Sequence, residues 1–68
     1  MAKKHTLPSL IHAARLRHGL SFDGWAALLG AHHATVRRWE AGQTVPTYQQ
    51  LRALVLRGGI DPRELFSN

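Results

Sequence analysis

The chain has no cysteine, so neither a disulfide framework nor a thiolate metal cage can hold it together, and a small fold lacking both usually belongs to a reducing cytosol. Acids are scarce as well. Asp23, Glu40, Asp61 and Glu64 stand against nine lysines and arginines, which leaves a formal net charge of +5. That imbalance points to an acidic partner. No apolar stretch approaches the roughly 20 residues of a membrane span. The start Met-Ala-Lys-Lys-His-Thr has the basic charge of a secretory signal, but Pro8, Ser9, His12 and Arg15 break the apolar run behind it. At 68 residues the chain is one domain that buries only about 60% of its unfolded surface, with few residues spare for a substrate cavity. No catalytic set is visible either: Ser9, Ser21 and Ser67 sit at capping or terminal positions, and no histidine has a carboxylate at useful spacing. A non-enzyme is expected.

What is there reads as helix throughout. Leu7, Leu10, Ile11, Ala14 and His18 recur at helical spacing between a Thr6 cap and a Gly19 stop, which predicts helix 1 over 7–18. Ser21 caps a second helix that runs to Leu29 and ends on Gly30. The third covers about 32–41, with Val36 and Trp39 inward, and closes on Gly42. Thr47 with Gln50 forms a capping box for a fourth helix whose buried stripe is Leu51, Leu54 and Val55, stopping at Gly58-Gly59. Asp61-Pro62-Arg63-Glu64 repeats the device, with Asp61 as cap, Pro62 in the first helical position and Glu64 reaching back to the cap. Leu65 and Phe66 then close the core. Connections of two to five residues imply a compact all-α bundle. Residues 1–6 form a flexible basic arm and 7–68 the folded domain.

The informative stretch is 21–42, which pairs two short helices across a glycine turn. Helices that cross near a right angle need a small residue at their contact, a left-handed residue at the turn and apolar residues inside. Ala26, Gly30, Val36 and Trp39 supply these in order, and Trp25 and Leu29 add apolar surface.

With Leu16-Arg17-His18-Gly19-Leu20-Ser21, Trp25-Ala26-Ala27-Leu28-Leu29-Gly30, Thr35-Val36-Arg37-Arg38-Trp39-Glu40-Ala41-Gly42 and Val45-Pro46, the sequence resembles the XRE or Cro/C1-type helix-turn-helix family over about 7–66. The resemblance implies a five-helix, lambda-repressor-like DNA-binding domain whose helix-turn-helix is formed by helices 2 and 3, with helix 3 in the major groove. The positions matching His33, Ala34 and Arg38 meet bases in that family. Arginine can bridge guanine O6 and N7, and Ala34 can pack on a thymine methyl, so His33, Ala34, Arg37 and Arg38 form the expected readout face. Arg37 is divided between a base and a phosphate, and the other reading of both arginines is a solvated charged face.

The family's partner for Glu40 falls on Arg15, an expected structural ion pair. Two departures stand out. His32 replaces a hydroxyl cap and is expected to donate to a phosphate; Phe22 replaces a glutamine that anchors one, leaving the clamp to the helix 2 amides behind Ser21. Phe22 either staples its own helix or packs on a sugar edge. Gln43, Thr44 and Tyr48 are further candidate phosphate contacts, as are Lys3 and Lys4 of the arm, whose other reading is a solvated tail. Adjacent His32 and His33 point about 100° apart on a helix, so no metal site is expected.

The implied function is that of a small repressor or autoregulator bound to double-stranded operator DNA, phage repressor-like, antitoxin-like or anti-CRISPR-associated, with no cofactor and no small-molecule substrate. It would be a cytoplasmic, nucleoid-associated protein, bacterial or phage-encoded. One recognition helix reads few base pairs, so a homodimer on pseudo-palindromic half-sites is expected, with Val45, Pro46, Ile60, Leu65 and Phe66 as candidate contacts. The competing function is a protein-interaction module that kept the fold without sequence-specific DNA binding.

Overall fold

The computed structural model describes residues 6–65, which form α1 (Leu7–His18), α2 (Phe22–Leu29), α3 (His33–Ala41), α4 (Tyr48–Leu56) and α5 (Pro62–Leu65). There is no strand among the described residues. Lys3, Lys4 and Phe66 lie outside them.

Local chemistry sets the helix ends. Each N-terminus leaves backbone N–H groups without an intrahelical partner, and a side-chain oxygen takes one of them. Thr6 Oγ1 accepts from the Ser9 N–H at 3.4 Å and Ser21 Oγ from the Gly24 N–H at 3.3 Å. At Thr47 the capping box is complete: its hydroxyl accepts from the Gln50 N–H at 3.3 Å, and its own N–H donates to Gln50 Oε1 at 2.7 Å. Gly30 ends α2 with φ +71°. There the Gly30 N–H bonds the Ala27 carbonyl and the Ala31 N–H the Ala26 carbonyl, a pairing that needs the left-handed conformation glycine adopts without strain.

Two helix starts differ from expectation. α3 begins at His33 rather than His32, because His32 has extended backbone (φ −80°, ψ 144°) and serves as the cap. Its Nδ1 accepts from the Ala34 N–H at 3.2 Å, so the imidazole does the work of the missing hydroxyl. At α5, Asp61 caps by accepting from the Arg63 N–H at 2.9 Å, but the residue that closes on it is Arg63, not Glu64. The Arg63 Nη2 group donates to Asp61 Oδ2 at 3.0 Å.

These bonds to Arg63, the side-chain one first, hold the Asp61 carboxyl below the ordinary aspartate range. A depressed folded-state value means that the contribution is present above the unfolded aspartate pKa of about 3.9 and disappears as pH falls through the lower folded value. We expect a carboxyl-detected NMR titration to place the Asp61 midpoint below that of a free aspartate, and Arg63→Ala, which keeps the backbone N–H bond, to bring it part of the way back. An ordinary midpoint in the parent protein would contradict the pairing.

The core joins Ile11 and Ala14 of α1, Trp25, Ala26 and Leu29 of α2, Val36 and Trp39 of α3, Leu54 of α4, and Ile60. α3 packs on α1 and α2, and α2 also packs on α4. Of the stripe expected on α4, only Leu54 is fully buried, while Leu51 and Val55 are half-buried. His18 turns out to be an anchor for the far end of the fold: its Nε2–H donates to the Gly58 carbonyl at 2.9 Å, and its ring lies 5.4 Å from that of Trp25. Two residues expected at a dimer surface are inside this protomer instead. Ile60 is 2% exposed and Pro46 is buried, because the connections before α4 and α5 fold their apolar side chains under the helices.

Candidate nucleic-acid interface

Val36 and Trp39, 0% and 2% exposed, fix the rotation of α3. At 3.6 residues per turn the opposite face is centred on Ala34 and Ala41, with Arg37 and Arg38 on either side. Both arginines are exposed. Together with Gln43 these four line an open depression of about 280 Å³, a trough with small residues flanked by guanidinium groups. Ala41 was not anticipated; its signal was the seven-residue interval from Ala34, which returns a helix to the same face.

His33, the first residue of α3, is exposed about a quarter-turn from the centre of this face, on the flank toward α2. Its Nδ1 is 3.6 Å from Asp23 Oδ1, which links the start of α3 to the first turn of α2. The His32 ring stacks on it at 4.6 Å between centroids, because His32 is a cap and escapes the helical divergence of side chains. With His32 Nδ1 accepting, the neutral ring carries its proton on Nε2 and keeps that donor for an outside acceptor. Gln43 and Thr44 are exposed in the connection after α3, Tyr48 is 75% exposed at the first position of α4, and Val45 is 78% exposed beside it. Leu65 is half-buried against the core.

Behind this face, Arg15 and Glu40 meet across the α1–α3 contact. Arg15 Nε donates to Glu40 Oε2 at 2.9 Å, and Nη1 donates to the Leu20 carbonyl at 3.0 Å. The two side chains are 13% and 6% exposed. His12 completes the cluster, with Nδ1 2.7 Å from Glu40 Oε1. Sequence reasoning gave His12 no part in this pair, although it sits three residues before Arg15 and so on the same face of α1. The acid embedded among the basic groups is thereby locally compensated. Phe22, the first residue of α2, is half-buried and carries the Arg15 guanidinium 4.2 Å above its ring, with Arg37 at 5.6 Å.

The profile of a helix-turn-helix domain matches residues 9–65. The chain belongs to the helix-turn-helix domain family. No curated protein and no solved structure matches it significantly. In this helix-turn-helix domain the motif is α2, the turn at Gly30, Ala31 and His32, and α3. Among the described residues no group of three or more His, Cys, Asp or Glu is placed to hold a metal ion, and no helix is long and apolar enough to cross a membrane.

Proposed function

We propose that this helix-turn-helix domain binds double-stranded DNA sequence-specifically, as a small cytoplasmic Cro/C1-type repressor or autoregulator, bacterial or phage-encoded. Its α3 enters the major groove. The observation that supports this most is the outward face of α3: Arg37 and Arg38 flank Ala34 and Ala41, with no carboxylate in ion-pair distance of either arginine among the described residues. Arg38 and His33 read bases, and Ala34 leaves room for a thymine methyl. The His32 Nε2–H, the α2 amides behind Ser21, and the side chains of Gln43, Thr44 and Tyr48 contact phosphates, joined by Lys3 and Lys4 of the arm.

Two copies on half-sites about one helical turn apart supply the specificity that one recognition helix lacks. Of the candidate dimer contacts, Val45 is exposed and Leu65 half-buried, Pro46 and Ile60 lie inside the protomer, and Phe66 is outside the described residues.

Selection from a random duplex library tests this directly. A pseudo-palindrome with a guanine in each half-site is the expected outcome, and Arg38→Ala should then relax preference at that base by about 1 to 3 kcal/mol. A library from which no sequence is enriched would overturn sequence-specific binding and favour the protein-interaction module.

A further inference from the structure

We propose that Arg37 clamps a backbone phosphate rather than reading a base, and that Phe22 is the residue that positions it. This rests on the DNA-binding reading above and divides labour between two adjacent arginines. Arg37 stands on a ridge between two depressions. One is the trough it shares with Ala34 and Arg38; the other, of about 350 Å³, adjoins Phe22, Arg15, His12 and Glu40. Its guanidinium carbon is 5.6 Å from the Phe22 centroid, inside the range of about 6 Å over which a ring attracts a cation. The charge therefore leans across to the first turn of α2, on the side away from Arg38.

The Phe22 ring suits this role because it is held from two sides. It packs against the core and holds Arg15 at 4.2 Å, and Arg15 is itself tied to Glu40 and to the Leu20 carbonyl. The two guanidinium groups at one ring are thus unequal. Arg15 has its counter-charge inside the protein, whereas Arg37 has no carboxylate within ion-pair distance among the described residues. A guanidinium that is positioned but uncompensated, with its donor fork available, suits a phosphodiester. An aromatic ring cannot donate to phosphate; it supplies the anchor indirectly by aiming the arginine.

The test compares the parent chain with Arg37→Ala, Phe22→Leu, Phe22→Trp and the Arg37→Ala/Phe22→Leu double variant. Each is titrated at several salt concentrations against a duplex selected by the parent and a mixed-sequence duplex of equal length. Arg37→Ala should weaken both duplexes by the same factor and reduce the log–log salt slope by about 1. Phe22→Leu should weaken both by about two- to fivefold, Phe22→Trp should restore binding, and the double variant should be no weaker than Arg37→Ala alone. Thermal melts show whether Phe22→Leu is folded, and the Arg37→Ala arm stands without it because that side chain is exposed. A changed preference between the two duplexes in Arg37→Ala, or additive losses in the double variant, would overturn the clamp and leave DNA binding intact. A parent that binds neither duplex overturns both.

Discussion

Arg15→Ala is expected to destabilise the fold by about 3 to 5 kcal/mol, the range for removing one partner of a buried ion pair. The Glu40 side chain is only 6% exposed beside Arg15, so water reaching its carboxylate through the adjoining depression replaces the lost guanidinium only in part. The same change removes the donor to the Leu20 carbonyl and the cation above Phe22, both of which join α1 to the turn into α2. His12 stays 2.7 Å from Glu40 and keeps one partner on it, which favours the lower end of the range. For a domain of this size 3 kcal/mol corresponds to a fall of roughly 12 to 24 °C in the thermal midpoint. Circular-dichroism melts provide the measurement, and an unchanged midpoint would refute a structural role for the pair. Adding Glu40→Gln to Arg15→Ala should recover part of the loss, because no unpaired charge is then left inside. DNA binding by Arg15→Ala should fail through loss of folded protein, with sequence preference retained in whatever remains folded.

The parts of this fold legible in the sequence are those set within a few residues of themselves. Thr6, Ser21 and Thr47 announce helix starts because a hydroxyl reaches an N–H three residues away, and Gly30 announces a stop because one residue must turn left-handed. His32 lacks that hydroxyl, so the sequence bounds the start of α3 only to about residue 32, and the imidazole nitrogen that caps it is seen only in the fold. The Arg15–Glu40 pair spans 25 positions and no periodicity marks it; only the family resemblance brought it forward. Phe22 shows the same limit from the other side. Its two guanidinium neighbours come from different helices, so local sequence offers a staple or a sugar contact and no reason to choose either. For Pro46 and Ile60, an apolar residue in a connection is equally compatible with a partner surface and with the underside of its own fold. Tertiary packing alone decides between them, and here it places both inside.

Gly58→Ala is the second change with a large expected effect, about 1 to 3 kcal/mol and toward the upper part of that range. Gly58 and Gly59 together read as a helix stop, yet they do different things. Gly59 has φ +75°, and a Cβ there would come no closer than 3.8 Å to His18 Nε2, so its demand is conformational. Gly58 has no such backbone, and it is buried. A Cβ there would sit 2.6 Å from the Leu54 carbonyl oxygen and 2.9 Å from Trp25 Cη2. The carbonyl cannot rotate aside because it belongs to the last turn of α4, and Trp25, fully buried in α2, has nowhere to go without opening the core. Displacing Gly58 would also strain the bond its carbonyl accepts from His18 Nε2–H, the tie between the end of α1 and the end of α4. Asparagine tolerates the left-handed region, so Gly59→Asn should lower the melting midpoint only slightly while Gly58→Asn lowers it strongly. Equal losses at the two sites would mean that both glycines are there for backbone freedom and that the α4 end does not press on Trp25. Gly58→Ala and His18→Ala should be markedly non-additive, since either change disturbs the same carbonyl and the same tryptophan ring.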